Sequence, residues 1–338
     1  MPGTRKSSTQ PADPAKRYVD EIIASAHGLL ADGASVGDLK LAGAAIREMR
    51  TAFKVFAPYR HVRKVSTFGS ARTQAGDPTF VLAETFARHI ADAGFMVITG
   101  AGGGIMEACQ RGAGRERSFG VNIQLPFEQE PNPLIKGDPK LILFKYFFTR
   151  KLFFLKEAHG VVLFPGGFGT HDEGFETLTL IQTGKSALIP LVLLDRPRGT
   201  YWKTWQRYVE EHLLRRAMIA REDLALYTVT DNVDAAVREI TTFYRVYHSS
   251  RYVRDLLVLR LNHRLPDQFV AELADEFHDI VTRGTLVQRR ALGAERAEVE
   301  LRHLPRLVFH FDRAHYGRLR MLIDRINHAP QVSLPSAD

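Results

Sequence analysis

The sequence predicts an α/β protein: a doubly wound parallel sheet, preceded by N-terminal helices and followed by a small C-terminal α+β appendage. Three observations carry this. Short apolar runs alternate with amphipathic stretches from Lys64 to Tyr247, the pattern of strands covered on both faces by crossover helices. Two of these runs end in glycine-rich turns that open helices, Gly100–Ala108 (GAGGGIMEA) and Pro165–Thr170 (PGGFGT). Beyond Tyr247-His248 the alternation breaks into a different mixture of strands and helices.

Residues 1–17 are rich in Pro, Ser, Thr and Lys and read as a disordered tail. They lack the apolar core of a signal peptide. Residues 18–60 form a helical segment. Val19, Ile22, Ile23, Ala26, Leu29 and Leu30 recur at helical spacing, and a second helix is expected from Val36 to Phe56, ending near Pro58. This segment caps the main domain or forms a dimer surface. The central domain, 61–247, begins with strand Val65–Phe68, which ends in Gly69-Ser70-Ala71-Arg72. Helix Pro78–Ala93, strand Phe95–Thr99, the first glycine turn and strand Phe119–Leu125 follow. A Pro- and Glu-rich loop leads to strand Leu141–Phe144 and helix Phe147–Ala158. Strand Val161–Phe164 then runs into the second glycine turn and helix His171–Thr183. Strand Ile189–Leu194, helix Tyr201–Leu214, strand Leu224–Val229 and helix Asp234–Tyr247 complete the series. In residues 248–330, strands are expected at Leu256–Leu261, Leu286–Arg290 and Leu307–Phe311, with helices at Pro266–Val281 and Ala314–Ile326. In a parallel sheet all strand-to-helix loops open at one edge, and ligands bind where the strand order reverses.

Hydrophobic residues make up 45% and charged residues 25% of the 338, as in an ordinary soluble globular protein. No apolar run approaches the roughly 18 residues of a membrane span. A single cysteine, Cys109, excludes an intramolecular disulfide framework and a cysteine-rich zinc site, so the expected compartment is the cytoplasm. The net charge of +8 raises nucleic-acid binding, but the Lys/Arg runs are no longer than pairs and no basic tail is present. An anionic metabolite accounts for the charge as well. The appendage is rich in histidine, without the spacing of a helical metal site.

The chemistry concentrates around the second glycine turn. A strand, a tight turn and a helix N-terminus leave backbone N–H groups free, and the helix dipole adds positive potential, so an anion is favoured there. Glu173 and Glu176 share a helical face with Thr179, beside that pocket; Asp172 is explained by helix-end charge alone. The first turn misses the dinucleotide pattern, because no acidic residue closes the following strand. Arg150-Lys151 lies in a helix of Phe and Leu. Such a pair needs a partner or a solvent outlet, which an oxyanion or a structural salt bridge supplies equally.

Together these motifs resemble the Lonely Guy family, the cytokinin riboside 5′-monophosphate phosphoribohydrolases, long mislabelled as lysine decarboxylases. The signature Pro-Gly-Gly-x-Gly-Thr-x-x-Glu is matched by Pro165, Gly166, Gly167, Gly169, Thr170 and Glu173, and the upstream Arg-Lys by Arg150-Lys151. The first glycine loop and Leu125–Pro133 are also similar, and the resemblance covers about residues 64–247. It implies a Rossmann-like fold and hydrolysis of the N-glycosidic bond of a nucleoside 5′-monophosphate, AMP-like or N6-modified, to free base and ribose 5-phosphate. Arg150 and Glu173 are then the catalytic residues. Glu173 stabilises positive charge on the ribose, orients hydroxyls or activates water; Arg150 assists the leaving base or the phosphate. Gly166, Gly167, Phe168, Gly169 and Thr170 hold the 5′-phosphate with Gly100, Gly102 and Gly104 of the first glycine loop, and Gly69 and Ser70 are further substrate contacts. Glu107, Glu128, Lys151, Glu176 and Thr179 complete the expected substrate contacts, with Lys151 assigned to phosphate and Glu128 to the base edge. No metal or redox cofactor is needed, and a homodimer is expected.

Four positions depart from the family pattern. Ala101 and Gly103 replace a usual Gly and Pro, tolerably. His171 stands where a leucine is usual, before the acid at Asp172, and Gly174 replaces a larger apolar residue, which suggests looser helix packing. Lysine decarboxylation is disfavoured, since no lysine stands in a pyridoxal-phosphate context. The competing reading is a non-catalytic nucleotide sensor or carrier.

Overall fold

The computed structural model describes residues 14–124 and 130–329. They belong to two compact units, one up to Phe53 and one from Lys54 onward. The first is built of two helices, α1 (Pro14–Ala31) and α2 (Val36–Phe56), the latter running on into the second unit. Proline at the first helical position presets φ, so the helix begins at Pro14, inside the stretch expected to be a tail. Gly33 turns the chain at φ +77°, and Ser35 and Asp38 exchange hydrogen bonds as a capping box for α2. Val19, Ile22, Ile23 and Leu30 of α1 are exposed.

The second unit opens with β1 (Lys64–Phe68), α3 (Pro78–Asp92), β2 (Met96–Thr99), α4 (Ile105–Ala113) and β3 (Ser118–Ile123). It continues through β4 (Leu141–Phe144), α5 (Phe147–Lys156), β5 (Val161–Leu163), α6 (Phe168–Gln182), β6 (Leu191–Leu194) and α7 (Tyr201–Tyr208). β7 (Thr228–Thr230) and α8 (Val233–Phe243) end the series. The sheet order is β4-β3-β2-β1-β5-β6-β7, and each pairing is parallel. Strands β2, β3, β5 and β6 are buried along their whole length, as a sheet sandwiched between helices requires. Successive strands run outward from β1 to β4, then return beside β1 at β5. The order reverses there, so the loops after β1 and β5 face a crevice at the carboxyl edge.

A second, antiparallel sheet is made by β8 (Tyr247–Val253), β9 (Leu256–Leu261), β10 (Val281–Arg289) and β11 (Arg306–Phe311), in the order β10-β11-β9-β8. α9 (Asp267–Glu276) and α10 (Tyr316–Asn327) accompany it. β8 has no counterpart in the sequence reading. It is an edge strand whose HSSR stretch is only half-buried, so it carries no apolar alternation. Helix 266–281 ends early, at Glu276, because β10 begins at Val281. One apolar cluster joins the sheets: Phe243, Tyr244 and Val246 pack with Leu257, Leu259, Leu307 and Ile323. Among the described residues, no helix is long and apolar enough to cross a membrane.

Candidate active site

Three loops are stitched together at the switch point. The Ser70 amide donates to the Pro165 carbonyl (3.1 Å), and the Ile105 amide donates to the Ser70 carbonyl (3.0 Å). The loops after β1, β2 and β5 therefore form one floor, under a cavity of about 780 Å³. Gly69, Ser70, Gly100, Arg150 and Gly166 line it, followed by Gly167, Phe168, Gly169, Thr170 and Glu173. These are ten of the residues singled out in the sequence. α6 starts at Phe168, three residues before the expected His171, so half of the glycine turn is the helix's first turn. The Thr170 and His171 amides donate to the Gly167 carbonyl, while those of Phe168 and Gly169 have no intrahelical acceptor and stand at the positive end of the dipole. The Phe168 ring is 97% exposed at the rim, while Thr170 is buried with its hydroxyl against Gly166.

Arg150 is positioned by a hydrogen bond from Nε to the Val121 carbonyl (2.9 Å) and by the Phe154 ring, 5.1 Å from its guanidinium carbon. Gly100 makes room for it: a Cβ there would lie 2.5 Å from a guanidinium nitrogen and 2.7 Å from the Met106 sulfur. Burial pulls the Arg150 pKa down, with the charge of Glu173 opposing.

Glu173 is buried, 9% exposed. Burial pushes its carboxyl up to about 7; Lys151 and Arg150 pull it down, while Glu176 and Asp172 push it further up. Its nearest cation is the Lys151 ammonium, at 3.7 Å. A carboxyl that titrates near neutrality inside a cleft is suited to acid–base or charge-stabilising work.

Lys151 does not line the cavity. Its ammonium lies 2.6 Å from Asp172 and 2.7 Å from Glu176. Burial opposes its charge, but those hydrogen bonds and Glu173 outweigh it and push its pKa up. Lys151 is thus engaged by three carboxylates, where the sequence reading assigned it to phosphate. Glu176 is held by the same ammonium, and Thr179 is exposed farther along α6, about 1.5 Å per residue from the first turn. Gly102 is turned to the structure, its carbonyl accepting from the Asn132 amide, and Gly104 lies behind Ser70. Glu107 pairs with Arg111 one helical turn on (2.9 Å). None of these five lines the cavity, and Glu128 lies outside the described residues.

The cavity also takes in Phe68, Ala71, Arg72, Met106, Phe147, His171 and Asp172. Arg72 has no carboxylate partner among the described residues, and its place three residues after Gly69 on the first loop was a usable signal. His171 Nε2 lies 2.6 Å from the Tyr201 hydroxyl, which donates to the Gly166 carbonyl. With the Tyr201 proton committed, Nε2–H of His171 is the donor between them. The histidine thus braces the glycine turn through Tyr201. Gly174 is not a looser contact: a Cβ there would stand 2.7 Å from Leu163 Cδ1, so α6 lies close upon β5. Ala101 adopts φ +61°, a conformation that favours the glycine usual at this position. Among the described residues, no group of three or more His, Cys, Asp or Glu is arranged to hold a metal.

The fold and site define a doubly wound α/β protein with an anion-receptive pocket at its switch point. Residues 105–240 match the family described as "possible lysine decarboxylase", in line with the resemblance carried by the glycine signature. It is similar to the pyrimidine/purine nucleotide 5′-monophosphate nucleosidase of Escherichia coli K12, with 32% identity over 126 residues, 33% of this chain and 27% of the relative. The same enzyme of Escherichia coli O157:H7 matches equally. The aligned segment thus spans about a quarter of those relatives' length (27%). Among solved structures, the molybdenum cofactor carrier protein of Chlamydomonas reinhardtii is 20% identical with a TM-score of 0.38, over 53% of this chain and 96% of that one.

Proposed function

We propose that the chain hydrolyses the N-glycosidic bond of a nucleoside 5′-monophosphate, releasing the base and ribose 5-phosphate, with a purine monophosphate as the preferred class. The observation that carries this reading is Glu173, a buried carboxyl held near neutrality on the wall of a glycine-lined cavity. Cleavage of the bond develops positive charge on the ribose, and an ionised Glu173 stabilises it or takes a proton from water. The first turn of α6 and the loops at Ser70 and Gly100 receive the 5′-phosphate. Arg150, and Arg72 at the mouth, add positive charge for the phosphate or the departing base. Phe168 offers an exposed ring for the base to stack on. The similarity to a nucleotide 5′-monophosphate nucleosidase supports the same class of reaction. The working form is a homodimer in this reading, supported by the exposed apolar residues Phe147, Phe148 and Leu152 on α5.

The test is incubation with a panel of nucleoside monophosphates and chromatography of the products. Free base and ribose 5-phosphate are expected from at least one purine monophosphate, with loss of turnover in Arg150→Ala and Glu173→Gln. Nucleotide binding without base release from any member overturns the hydrolase reading.

A further inference from the structure

A second cleft, of about 560 Å³, lies at the opposite edge of the parallel sheet. Its walls are the segments that enter β1, β5 and β6, together with the first half of β8. That volume is in the range of small-molecule sites. Arg60, Arg63 and Lys156 bring positive charge to it, and Glu300 is the only carboxylate among its lining residues. Glu300 is highly exposed, and its contact with His61 is long, at 4.0 Å.

Arg63 is half-buried. Its guanidinium carbon sits 4.3 Å from the centre of the Tyr244 ring, and no carboxylate pairs with it among the described residues. Neighbouring acids are already committed. Glu157 serves Lys156 at 2.7 Å and Lys64 at 4.0 Å, and Glu295 serves Arg260 and Arg306. His159 Nδ1 accepts the Lys64 amide at 3.3 Å, and the ring is also engaged by the Glu157 backbone. Ser249 and Ser250 add hydroxyls, in contact with His248 and Tyr247. The field is positive enough to be felt by both histidines. Burial, then the charges of Lys64 and Arg63, press His159 down to about 4; burial, then Arg63, Arg260 and Arg306, lower His248. The half-buried Arg63 without a carboxylate, the exposed Arg60 beside it and hydroxyls on one wall form a complement to phosphate oxygens.

We propose that this cleft is a second binding site, separate from the glycine-loop cavity, for the phosphate groups of a small phosphorylated molecule. The two sites occupy opposite ends of β1 and β5, so the claim is independent of the reaction assigned to Glu173.

The test is calorimetric titration of the full chain with inorganic pyrophosphate and, separately, with ATP. Binding of both is expected if phosphate alone is recognised; binding of ATP alone means that the nucleoside is also read. Arg63→Gln is expected to weaken binding by about tenfold or more, the scale of one charge-assisted contact. Arg150→Ala is expected to leave a site of wild-type affinity. Arg60 is exposed, so Arg60→Gln provides a variant with little risk to folding and is expected to weaken binding several-fold. The proposal is overturned by absence of binding to wild type, by wild-type affinity in folded Arg63→Gln or in Arg60→Gln, or by loss of all binding in Arg150→Ala.

Discussion

Glu173 illustrates how a site residue is set against the stability of its own fold. Its carboxyl titrates near 7 because burial penalises the charge more than Lys151 and Arg150 compensate it. For a carboxyl raised in the folded state, the sign is fixed. The unfolded chain ionises it from about 4.5 upward, the folded one only near 7, so stability falls as pH climbs through that window and stays lower above it. Glu173→Gln removes the cost. The variant is expected to match wild type near pH 4.5 and exceed it above pH 8 by at most about 3 kcal/mol. Urea denaturation at the two pH values measures this; equal stability at both contradicts the buried, raised carboxyl. Arg150 and Glu173 were legible from the sequence because the glycine signature and an Arg-Lys pair in an apolar helix are local patterns. The partners of Lys151 were not. Asp172 and Glu176 are 21 and 25 residues away in sequence, and only the packing of α5 on α6 brings them to its ammonium.

At the scale of elements, the strands of the central sheet were readable because burial on both faces demands unbroken apolar runs. β8 was not, being a polar edge strand, and neither was the start of α6, where glycines usually signal a turn. The glycine loops show what the sequence pattern is for. Gly100 admits Arg150, whereas Ala101 holds φ +61° with a Cβ present. The left-handed conformation costs an alanine about 1 kcal/mol, and the lower chain entropy of alanine in the unfolded state offsets part of that. Ala101→Gly is therefore expected to raise stability by about 0.5 kcal/mol, within the range that such backbone substitutions produce. A lower melting temperature for this variant contradicts the strain assigned to the loop.

Over the whole molecule, the second sheet is part of one core and not an appended module. Tyr244, Val246 and Tyr247 are buried with residues of both sheets, and Asn327 of α10 accepts from the amides of Val246 and Tyr247. The sequence showed a change of pattern at Tyr247-His248, but a change of periodicity does not say whether two segments share a core. Within the second sheet, Glu295 is fully buried between Arg260 (2.9 Å) and Arg306 (3.1 Å). Removing a buried charge leaves its partners uncompensated, so Glu295→Ala is expected to cost about 3–5 kcal/mol. Because the core is shared, that loss is expected to appear as a lower midpoint of one transition followed by tryptophan fluorescence. Trp202 and Trp205 lie on α7, outside the second sheet, so an unshifted fluorescence midpoint contradicts a shared core.

The most direct measurement is the pH dependence of base release from AMP by wild type and Glu173→Gln. The expected wild-type kcat/KM rises with pH along a limb centred near 7, as Glu173 ionises. In Glu173→Gln the limb is expected to vanish and the rate to fall by about 10²–10⁴-fold, the usual contribution of a positioned acid–base group. Turnover in Glu173→Gln at the wild-type rate, with the limb intact, would contradict the assignment of this carboxylate to catalysis.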